Sequence, residues 1–218
     1  MKIKHIIWDW NGTLLNDNWL SIRAINILLA KYGIPIITKE KYLEIFTFPV
    51  IDYYKKLGFD FDKTPFHIVG TEFIYEYTNQ MYKVKLHDGA YEILNYVHET
   101  EVSQSLLSAA KQQMLDELSD YYKLNKYFIK ILGINNHYAD SKLHIGKALV
   151  EKLQLELDEV LFVGDTLHDL DVAREIGADC ILIAQGHTSY HRLKGKGVLV
   201  FHNLFEFKDW FIKNEKII

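Results

Sequence analysis

The sequence contains few of the residues that cross-link a chain or interrupt its regular structure. Of its 218 residues, one is cysteine (Cys180), three are proline and twelve are glycine. A single cysteine excludes an internal disulfide, an iron–sulfur cluster held by several thiolates and a cysteine-rich zinc site, and it fits a reducing, cytoplasmic compartment. With no linker or low-complexity segment in view, we expect compact structure throughout.

An excess of basic charge and long apolar runs are also missing. Lysine and arginine number 25 against 29 acidic residues, a net charge of −4. Binding to a phosphate backbone needs a basic excess, so we do not expect a nucleic-acid partner. No run approaches the roughly 18 apolar residues of a membrane span, and the apolar stretch near Met1 is too short for a signal-peptide core. We therefore expect a cytoplasmic protein that binds neither nucleic acid nor a membrane.

Strands alternate with helices along most of the chain. Short apolar runs predict six strands, at Ile3–Trp8, Val102–Leu107, Phe128–Leu132, Val160–Val163, Cys180–Ala184 and Val198–Phe201. Apolar residues at helical spacing predict helices over 17–32, 38–46, 49–58, 65–81, 89–100, 111–124, 141–154, 168–176 and 203–213. This order predicts an α/β fold with a doubly wound, mainly parallel sheet. Its core would comprise residues 1–16 and 83–218, with an inserted helical cap over 17–82.

Polar residues follow four of the predicted strands or begin the helix after them. They are Asp9, Asn11 and Thr13 after the first strand, Ser108 after the second, Lys142 at the start of the helix after the third, and Asp165 and Asp169 after the fourth. Ligands of such sheets bind at the carboxyl ends of the strands. Carboxylates there can hold Mg²⁺ or act as a nucleophile, while an ammonium and hydroxyls can bind phosphate oxygens. The set therefore predicts phosphoryl-transfer chemistry.

In these motifs the chain resembles the haloacid dehalogenase superfamily, in particular its phosphoglycolate-phosphatase-like branch with a helical cap. The Asp-x-Asp-x-Thr motif of that family is matched by Asp9, Asn11 and Thr13, and its Gly-Asp-x-x-x-Asp motif by Gly164, Asp165 and Asp169. The resemblance covers nearly the whole chain. It implies a Mg²⁺-dependent phosphatase that works through an aspartyl phosphate.

The resemblance also implies a role for each matched residue. Asp9 would be the nucleophile and a Mg²⁺ ligand, and Asn11 would lend its backbone carbonyl to the metal. Asp165 would complete the metal site, and Asp169 would orient Lys142 or bind a metal-bound water. Thr13 and Ser108 would hold the phosphate, whose charge Lys142 would neutralise.

The chain departs from the family pattern at Asn11, where related phosphatases carry an aspartate that acts as general acid and base. An amide cannot transfer a proton in that way. We therefore expect a substrate with a good leaving group such as an acyl phosphate, help from another residue, or slow turnover. His168 and His187 are candidates for such help, and an aspartate placed at position 11 should speed hydrolysis of esters with poor leaving groups.

Some assignments stay open in the sequence. Ser105 competes with Ser108 for the role of phosphate ligand, and Lys147 competes with Lys142. The aromatic residues of the cap are expected to be packing residues rather than a substrate pocket; they are Phe46, Phe48, Tyr53, Tyr54, Phe73 and Tyr77.

We expect a phosphoric monoester hydrolase for a small, phosphoglycolate-like phosphorylated metabolite. One alternative is a phosphate-binding relative whose catalysis is weakened by Asn11. Another is a phosphotransferase or mutase that passes the phosphoryl group to a sugar.

Overall fold

A computed structural model describes residues 3–135 and 142–215 of the chain. These residues contain a six-stranded sheet in which every neighbouring pair of strands is parallel. The strands are β1 (His5–Trp8), β2 (Ser103–Lys111), β3 (Lys130–Ile134), β4 (Val160–Gly164), β5 (Asp179–Ile183) and β6 (Leu199–Phe201). Each overlaps a predicted strand, so the predicted α/β fold with a parallel sheet is confirmed.

The helices surround this sheet. They are α1 (Asn18–Lys31), α2 (Lys39–Ile45), α3 (Val50–Leu57), α4 (Phe66–Thr78), α5 (Ala90–His98), α6 (Gln112–Tyr121), α7 (Leu143–Leu153), α8 (Leu167–Ile176), α9 (Tyr190–Leu193) and α10 (Leu204–Glu215). Single 3₁₀ turns cover Met81–Lys83, Asn125–Tyr127 and Leu157–Glu159.

Differences from the predicted elements are confined to their ends and to one short helix. The helix predicted over 65–81 ends at Thr78, and the one-turn helix α9 lies in a stretch that the sequence suggested was loop. The helix predicted over 141–154 begins at Leu143, and its first predicted residue, Ser141, lies outside the described residues. Strand β2 continues past Leu107 to Lys111, and its register with β3 shifts between these two residues.

The order of strands across the sheet is β3-β2-β1-β4-β5-β6. Doubly wound folds commonly have this order. Successive strands are added on one side of β1 up to β3, and from β4 onward they are added on its other side. Ligands of such folds bind in the crevice at this reversal, beyond the carboxyl ends of the strands. In this chain β1 leads directly to Asp9 and β4 leads directly to Asp165.

Both faces of the sheet are buried, which explains the continuous apolar sequence of its central strands. Ile6 and Trp8 of β1 pack in a cluster with α5, α6 and α10, while the intervening Ile7 packs against α7 and α8 on the other face. The alternation follows from the two-residue period of a strand. The two layers of helices hold the central strands, and therefore the residues at their ends, in place.

Helices α1 to α4 follow β1 in the chain and build an apolar cluster of their own. Its buried members include Ile25, Leu29, Tyr42, Tyr54 and Val69. The division into a core of 1–16 and 83–218 and a cap of 17–82 stays a prediction. Within the described residues, no helix is both long enough and apolar enough to cross a membrane.

Candidate active site

Asp9 lies where β1 ends, with its backbone N–H bonded to the carbonyl of Val163 in β4 at 2.9 Å. The loop that follows passes so close to Asp165 that position 12 has no room for a side chain. Gly12 has φ +80°, and a Cβ atom there would lie 2.4 Å from Oδ2 of Asp165. Gly186 is equally confined, because its Cβ would lie 2.2 Å from the same oxygen. Both glycines therefore permit the backbone to close around the Asp165 carboxylate.

Asp165 and Asp169 are placed by the end of β4 and the first turn of α8. Oδ2 of Asp169 accepts hydrogen bonds from the backbone N–H of Thr166 at 2.9 Å and from its hydroxyl at 2.7 Å. The Thr166 hydroxyl in turn accepts a hydrogen bond from the backbone N–H of Asp169 at 3.3 Å, which completes a capping box. The Oδ2 atom of Asp169 therefore completes the cap of α8, while its Oδ1 atom faces the site.

Lys142 directly precedes α7, and its side chain is buried at 1% exposure. Its ammonium group pairs with Oδ1 of Asp9 and with Oδ1 of Asp169, the latter at 2.7 Å. Lys147, the rival candidate, pairs instead with Glu175 at 3.5 Å on the exposed face of the helices. The geometry thus places Lys142, and not Lys147, beside the carboxylates.

Thr13 and Ser108 add hydroxyl groups to the site. Oγ1 of Thr13 lies 3.1 Å from Oδ2 of Asp9 and 3.0 Å from Oδ1 of Asp165, so it bridges the two carboxylates. Ser108 follows the regular part of β2 and lines the same cavity as Asp9, with its hydroxyl accepting a hydrogen bond from the backbone of Ala110. Ser105 is buried within β2 and does not line that cavity.

The site carries an excess of buried negative charge. Burial, together with the nearby Asp169, raises the pKa of Asp9 to about 6, and burial raises the pKa of Asp165 well above its ordinary value. Burial alone would also raise the pKa of Asp169, but the Lys142 ammonium keeps it below the ordinary range. The single positive charge of Lys142 thus does not neutralise the three carboxylates. A further cation would reduce the electrostatic repulsion among them.

The three carboxylates suit a hard divalent cation. One oxygen from each of Asp9, Asp165 and Asp169 can be chosen so that all lie within 4.8 Å of one another. Every donor in this group is a carboxylate oxygen, the ligand type that Mg²⁺ prefers. Asp169 already accepts hydrogen bonds on Oδ2 and a salt bridge on Oδ1. Asp9 is likewise engaged with Lys142 and Thr13, and Asp165 with Thr13 and the backbone of His187, so all three carboxylates are candidates for direct ligands.

The side chain of Asn11 turns toward a second buried network, which the sequence did not reveal. Its Nδ2 donates hydrogen bonds to Oδ2 of Asp17 at 2.8 Å and to the hydroxyl of Tyr77 at 3.1 Å. Oδ1 of Asp17 accepts from the backbone N–H of Gly12 and lies 3.2 Å from Nε2 of His187. The sequence indicates Asp17 only as the start of a helix, and two of its partners, Tyr77 and His187, are too far away in sequence for local patterns to identify them.

His187 joins this network to the carboxylates. Its backbone N–H donates to Oδ2 of Asp165 at 2.5 Å, and its Nδ1 lies 2.8 Å from the hydroxyl of Tyr42. Burial would lower the pKa of His187, but Asp17 and Asp165 raise it to about 9. His187 therefore forms a buried ion pair with Asp17 next to the site. His168, the other histidine candidate, stacks on Phe48 at the cavity wall, with ring centroids 4.6 Å apart.

A cavity of about 150 Å³ opens above the carboxylates. Asp9, Asn11, Lys142 and Asp169 lie on its polar side. The cavity is also lined by the aromatic residues that the sequence predicts to be packing residues: Phe46, Phe48, Tyr53, Tyr54, Phe73 and Tyr77. These side chains pack against one another, as expected, and they also form a wall of the cavity, which was not expected.

Known proteins are similar to this chain in sequence. A pyrophosphatase PpaX from Anoxybacillus flavithermus is 24% identical over 179 residues, which cover 81% of each chain. A phosphoglycolate phosphatase from Pseudomonas fluorescens is 25% identical over 103 residues, which cover 47% of this chain and 38% of the relative.

Solved structures show the same fold. A haloacid dehalogenase-like family hydrolase from Streptococcus pneumoniae superposes with a TM-score of 0.82 at 18% identity, over 96% of this chain and 98% of that chain. The structure of CbbY from Rhodobacter sphaeroides in complex with phosphate gives a TM-score of 0.73 at 17% identity, over 94% of this chain and 96% of that chain.

The model of the haloacid dehalogenase-like hydrolase family matches residues 6–183. This range begins at Ile6 in β1, three residues before Asp9, and ends with β5. It therefore contains all the candidate site residues predicted from the sequence: Asp9, Asn11, Thr13, Ser108, Lys142, Asp165 and Asp169. The resemblance inferred from the four motifs is confirmed, as is the expected class of hydrolytic enzyme: the chain belongs to the haloacid dehalogenase-like hydrolase family.

Proposed function

We propose that this protein is a Mg²⁺-dependent phosphoric monoester hydrolase that acts on a small phosphorylated metabolite through an aspartyl phosphate on Asp9. The observation that carries the proposal is the position of Asp9. Its carboxylate lies at the reversal of strand order, beside Lys142 and Asp165, and it lines a cavity large enough for a small molecule. The phosphatase names of similar proteins support the same class of reaction.

Asp9 and Asp165 would hold the Mg²⁺ ion, with the backbone carbonyl of Asn11 as a further ligand. When bound, Mg²⁺ supplies positive charge beside the phosphoryl oxygens and offsets the charge of the two carboxylates. Asp169 acts through Lys142, because its Oδ1 pairs with the ammonium at 2.7 Å and so orients it toward Asp9. Ser108, Thr13 and Lys142 would bind the phosphoryl group.

In the first step, a carboxylate oxygen of Asp9 attacks phosphorus, and the bond from phosphorus to the alcohol oxygen breaks. The leaving oxygen keeps the electron pair and takes a proton from solvent or from a group other than the Asn11 amide. In the second step, water attacks the phosphorus of the aspartyl phosphate. The bond between phosphorus and the Asp9 oxygen breaks and the attacking water passes a proton to the phosphate product or to solvent, which releases phosphate and restores the carboxylate.

The proposal is tested by hydrolysis of acetyl phosphate and p-nitrophenyl phosphate, assayed with Mg²⁺ and again with excess chelator. We expect turnover that chelation abolishes and that Asp9→Asn reduces below a few per cent, because the nucleophile is then lost. Asp88→Asn is the matched control, since Asp88 is exposed and lies outside the cavity. Activity that survived either chelation or Asp9→Asn would contradict the mechanism.

The phosphate-binding alternative also has an observation in its favour. The Asn11 side-chain amide donates hydrogen bonds to Asp17 and Tyr77. The residue that stands in place of the family's acid–base aspartate is therefore part of a buried hydrogen-bond network. A protein of this kind would bind inorganic phosphate with Mg²⁺ but would hydrolyse neither test substrate. The phosphotransferase or mutase stays a prediction, distinguished by transfer of the phosphoryl group to an added sugar.

A further inference from the structure

The cavity above Asp9 is divided into a charged half and an aromatic half. The charged half includes Asp9, Lys142 and Asp169, where the phosphoryl group would be bound. The wall of the aromatic half comes from α3, α4 and the segment between α2 and α3. It includes the apolar side chains of Phe46, Phe48, Val50, Phe73 and Ile74. A substrate whose phosphoryl group reaches Asp9 therefore places the rest of its structure against an apolar wall.

This wall offers no cationic partner for a second anionic group. Among the described residues that line the cavity, the lysines and arginines are Lys111 and Lys142, and the positive charge of His187 is already paired with Asp17. Lys142 is paired with Asp9 and Asp169, and Lys111 ends β2, on the same side of the cavity as Ser108. A carboxylate or a second phosphate carried into the aromatic half would lose its hydration without gaining an ion pair, which is strongly unfavourable.

The aromatic side chains are held in place by one another. The ring of Phe46 meets that of Phe48 at 81° with centroids 5.5 Å apart, and it meets that of Tyr53 at 68° and 5.2 Å. Edge-to-face packing of this kind is the favoured geometry for aromatic rings, and it presents both ring edges and ring faces to a neighbour. The wall is thus ordered before any ligand binds, which reduces the entropic cost of binding an apolar group.

The size of the cavity also restricts its occupant. Its volume is about 150 Å³. An apolar cavity of about this volume in another protein holds one benzene molecule. The phosphoryl group takes up part of this volume, so the remaining space admits at most a single ring beside it, and a nucleoside would need considerably more.

We infer that the substrate is a phosphate monoester whose alcohol carries one uncharged, ring-sized apolar group, seated against Phe46, Phe48 and Ile74. The inference rests on the proposed function and narrows its substrate class. It differs from the expectation of a phosphoglycolate-like substrate, because a carboxylate in place of the ring would face this wall unpaired.

The first test compares substrates that share the same type of leaving group. The kcat/KM values for 2-phenylethyl phosphate, ethyl phosphate and 2-phosphoglycolate are measured with saturating Mg²⁺. We expect 2-phenylethyl phosphate to exceed each of the other two by about tenfold or more, the size expected for burial of an aromatic ring. Equal values, or a preference for 2-phosphoglycolate, would overturn the inference.

The second test adds a cation to the wall. Ile74 lines the cavity, whereas Ile68 of the same helix is 41% exposed and does not. Ile74→Lys should lower kcat/KM for 2-phenylethyl phosphate by about tenfold or more and raise it for 2-phosphoglycolate. Ile68→Lys adds the same charge to α4 and should leave both values unchanged. Matching effects of the two substitutions would show that the wall does not contact the substrate.

A binding measurement separates this inference from the proposed function and does not depend on the stability of any variant. The wild-type dissociation constants of 2-phenylethylphosphonate and ethylphosphonate are compared by calorimetry with Mg²⁺ present. If acetyl phosphate is hydrolysed but the phenyl group improves neither binding nor turnover, the inference fails and the phosphatase assignment stands. If no ester is hydrolysed but the phenyl compound binds about tenfold tighter, the phosphatase assignment fails and the ring-binding cavity stands.

Discussion

The side-chain amide of Asn11 donates a hydrogen bond to the carboxylate of Asp17 over an Nδ2 to Oδ2 distance of 2.8 Å. Both residues line the cavity, and Asp17 is buried at 1% exposure. A carboxylate at position 11 would face the Asp17 carboxylate at this distance, and two like charges so close together cannot both remain ionised without a large cost. The amide at position 11 and the carboxylate at position 17 therefore form a matched pair.

This pair changes what we expect from an aspartate at position 11. Asn11→Asp alone should lower the free energy of unfolding by about 1–3 kcal/mol, the range typical of coupled neighbours. It should not accelerate alkyl ester hydrolysis, because the new carboxyl group would keep its proton in a hydrogen bond to Asp17 and not donate it to the leaving oxygen. The double variant Asn11→Asp with Asp17→Asn reverses the pair and keeps a donor opposite an acceptor. Its loss of stability should be smaller than the sum of the losses of the two single variants, and it should hydrolyse 2-phenylethyl phosphate about tenfold faster than the wild type.

The measurement is a double-mutant cycle in urea unfolding, together with rates on 2-phenylethyl phosphate and acetyl phosphate. Asp17→Asn alone completes the cycle and reports the cost of losing the pairing with His187. Acceleration of acetyl phosphate hydrolysis to the same degree would show that protonation of the leaving group was not the missing step. Additive changes in stability would show that the two side chains are not coupled.

Lys142 and Lys147 form a matched pair for testing the phosphate lysine. Lys142→Gln should reduce kcat by about 100-fold or more, the usual loss on removing one electrostatic group from an active site. It leaves Asp9 and Asp169 without their shared cation, so the free energy of unfolding should also fall. Lys147→Gln removes an exposed pair with Glu175 and should change kcat less than twofold. Rates at saturating substrate check both values, and a larger loss in Lys147→Gln would reverse the assignment.

Mg²⁺ should stabilise the folded chain through Asp9 and Asp165. At a concentration about 100-fold above its dissociation constant, a ligand that binds only the folded state adds about 2.7 kcal/mol. We therefore expect a rise in Tm with Mg²⁺ in the wild type and in Asp158→Asn, an exposed control, and none in Asp165→Asn. Scanning calorimetry at pH 8 with Mg²⁺ or with chelator checks this.

Asp165→Asn should also change the stability of the protein when a chelator has removed the metal. The pKa of Asp165 is raised because its charged form is buried near other carboxylates, so folding opposes its ionisation. Removing that charge should leave Asp165→Asn at least as stable as the wild type without metal. A Mg²⁺ response that persisted in Asp165→Asn would place the cation elsewhere.

His5 should contribute to acid sensitivity far from the cavity. Burial lowers its pKa from 6.5 to about 4. Between these two values the unfolded chain binds a proton that the folded chain does not, so stability falls as pH falls through this window. His5→Asn, which keeps a polar atom near Ser103, should reduce the loss of stability between pH 7 and pH 4.5 by roughly 2 kcal/mol.

Urea unfolding at several pH values in the presence of chelator measures this difference. His67→Asn is the control, because His67 is exposed on α4. The pKa of His87 is also lowered to about 4 by burial, and its contribution is common to all three proteins and cancels. Parallel stability curves for His5→Asn and the wild type would contradict the prediction.

The amino-acid sequence alone was enough to predict the sheet and the charged half of the site. Each strand is a short apolar run, and β1 and β4 are followed at once by Asp9 and Asp165, so local patterns were sufficient to locate both. A parallel sheet brings its carboxyl ends to one edge, which is why separate motifs could be expected to meet.

The tertiary structure was needed to show which of the two lysines reaches the carboxyl edge of the sheet and which side chains face that edge. Lys142 and Lys147 differ in the direction that α7 gives their side chains, so one is buried between Asp9 and Asp169 while the other pairs with Glu175 on the surface. The contact between Asp17 and His187 joins residues at opposite ends of the chain. The aromatic wall arises because α3, α4 and the segment before α3 line the same cavity as Asp9 at the end of β1. Local periodicity reports that a side chain is buried, but it does not report whether the space beside it is filled by protein or left for a ligand.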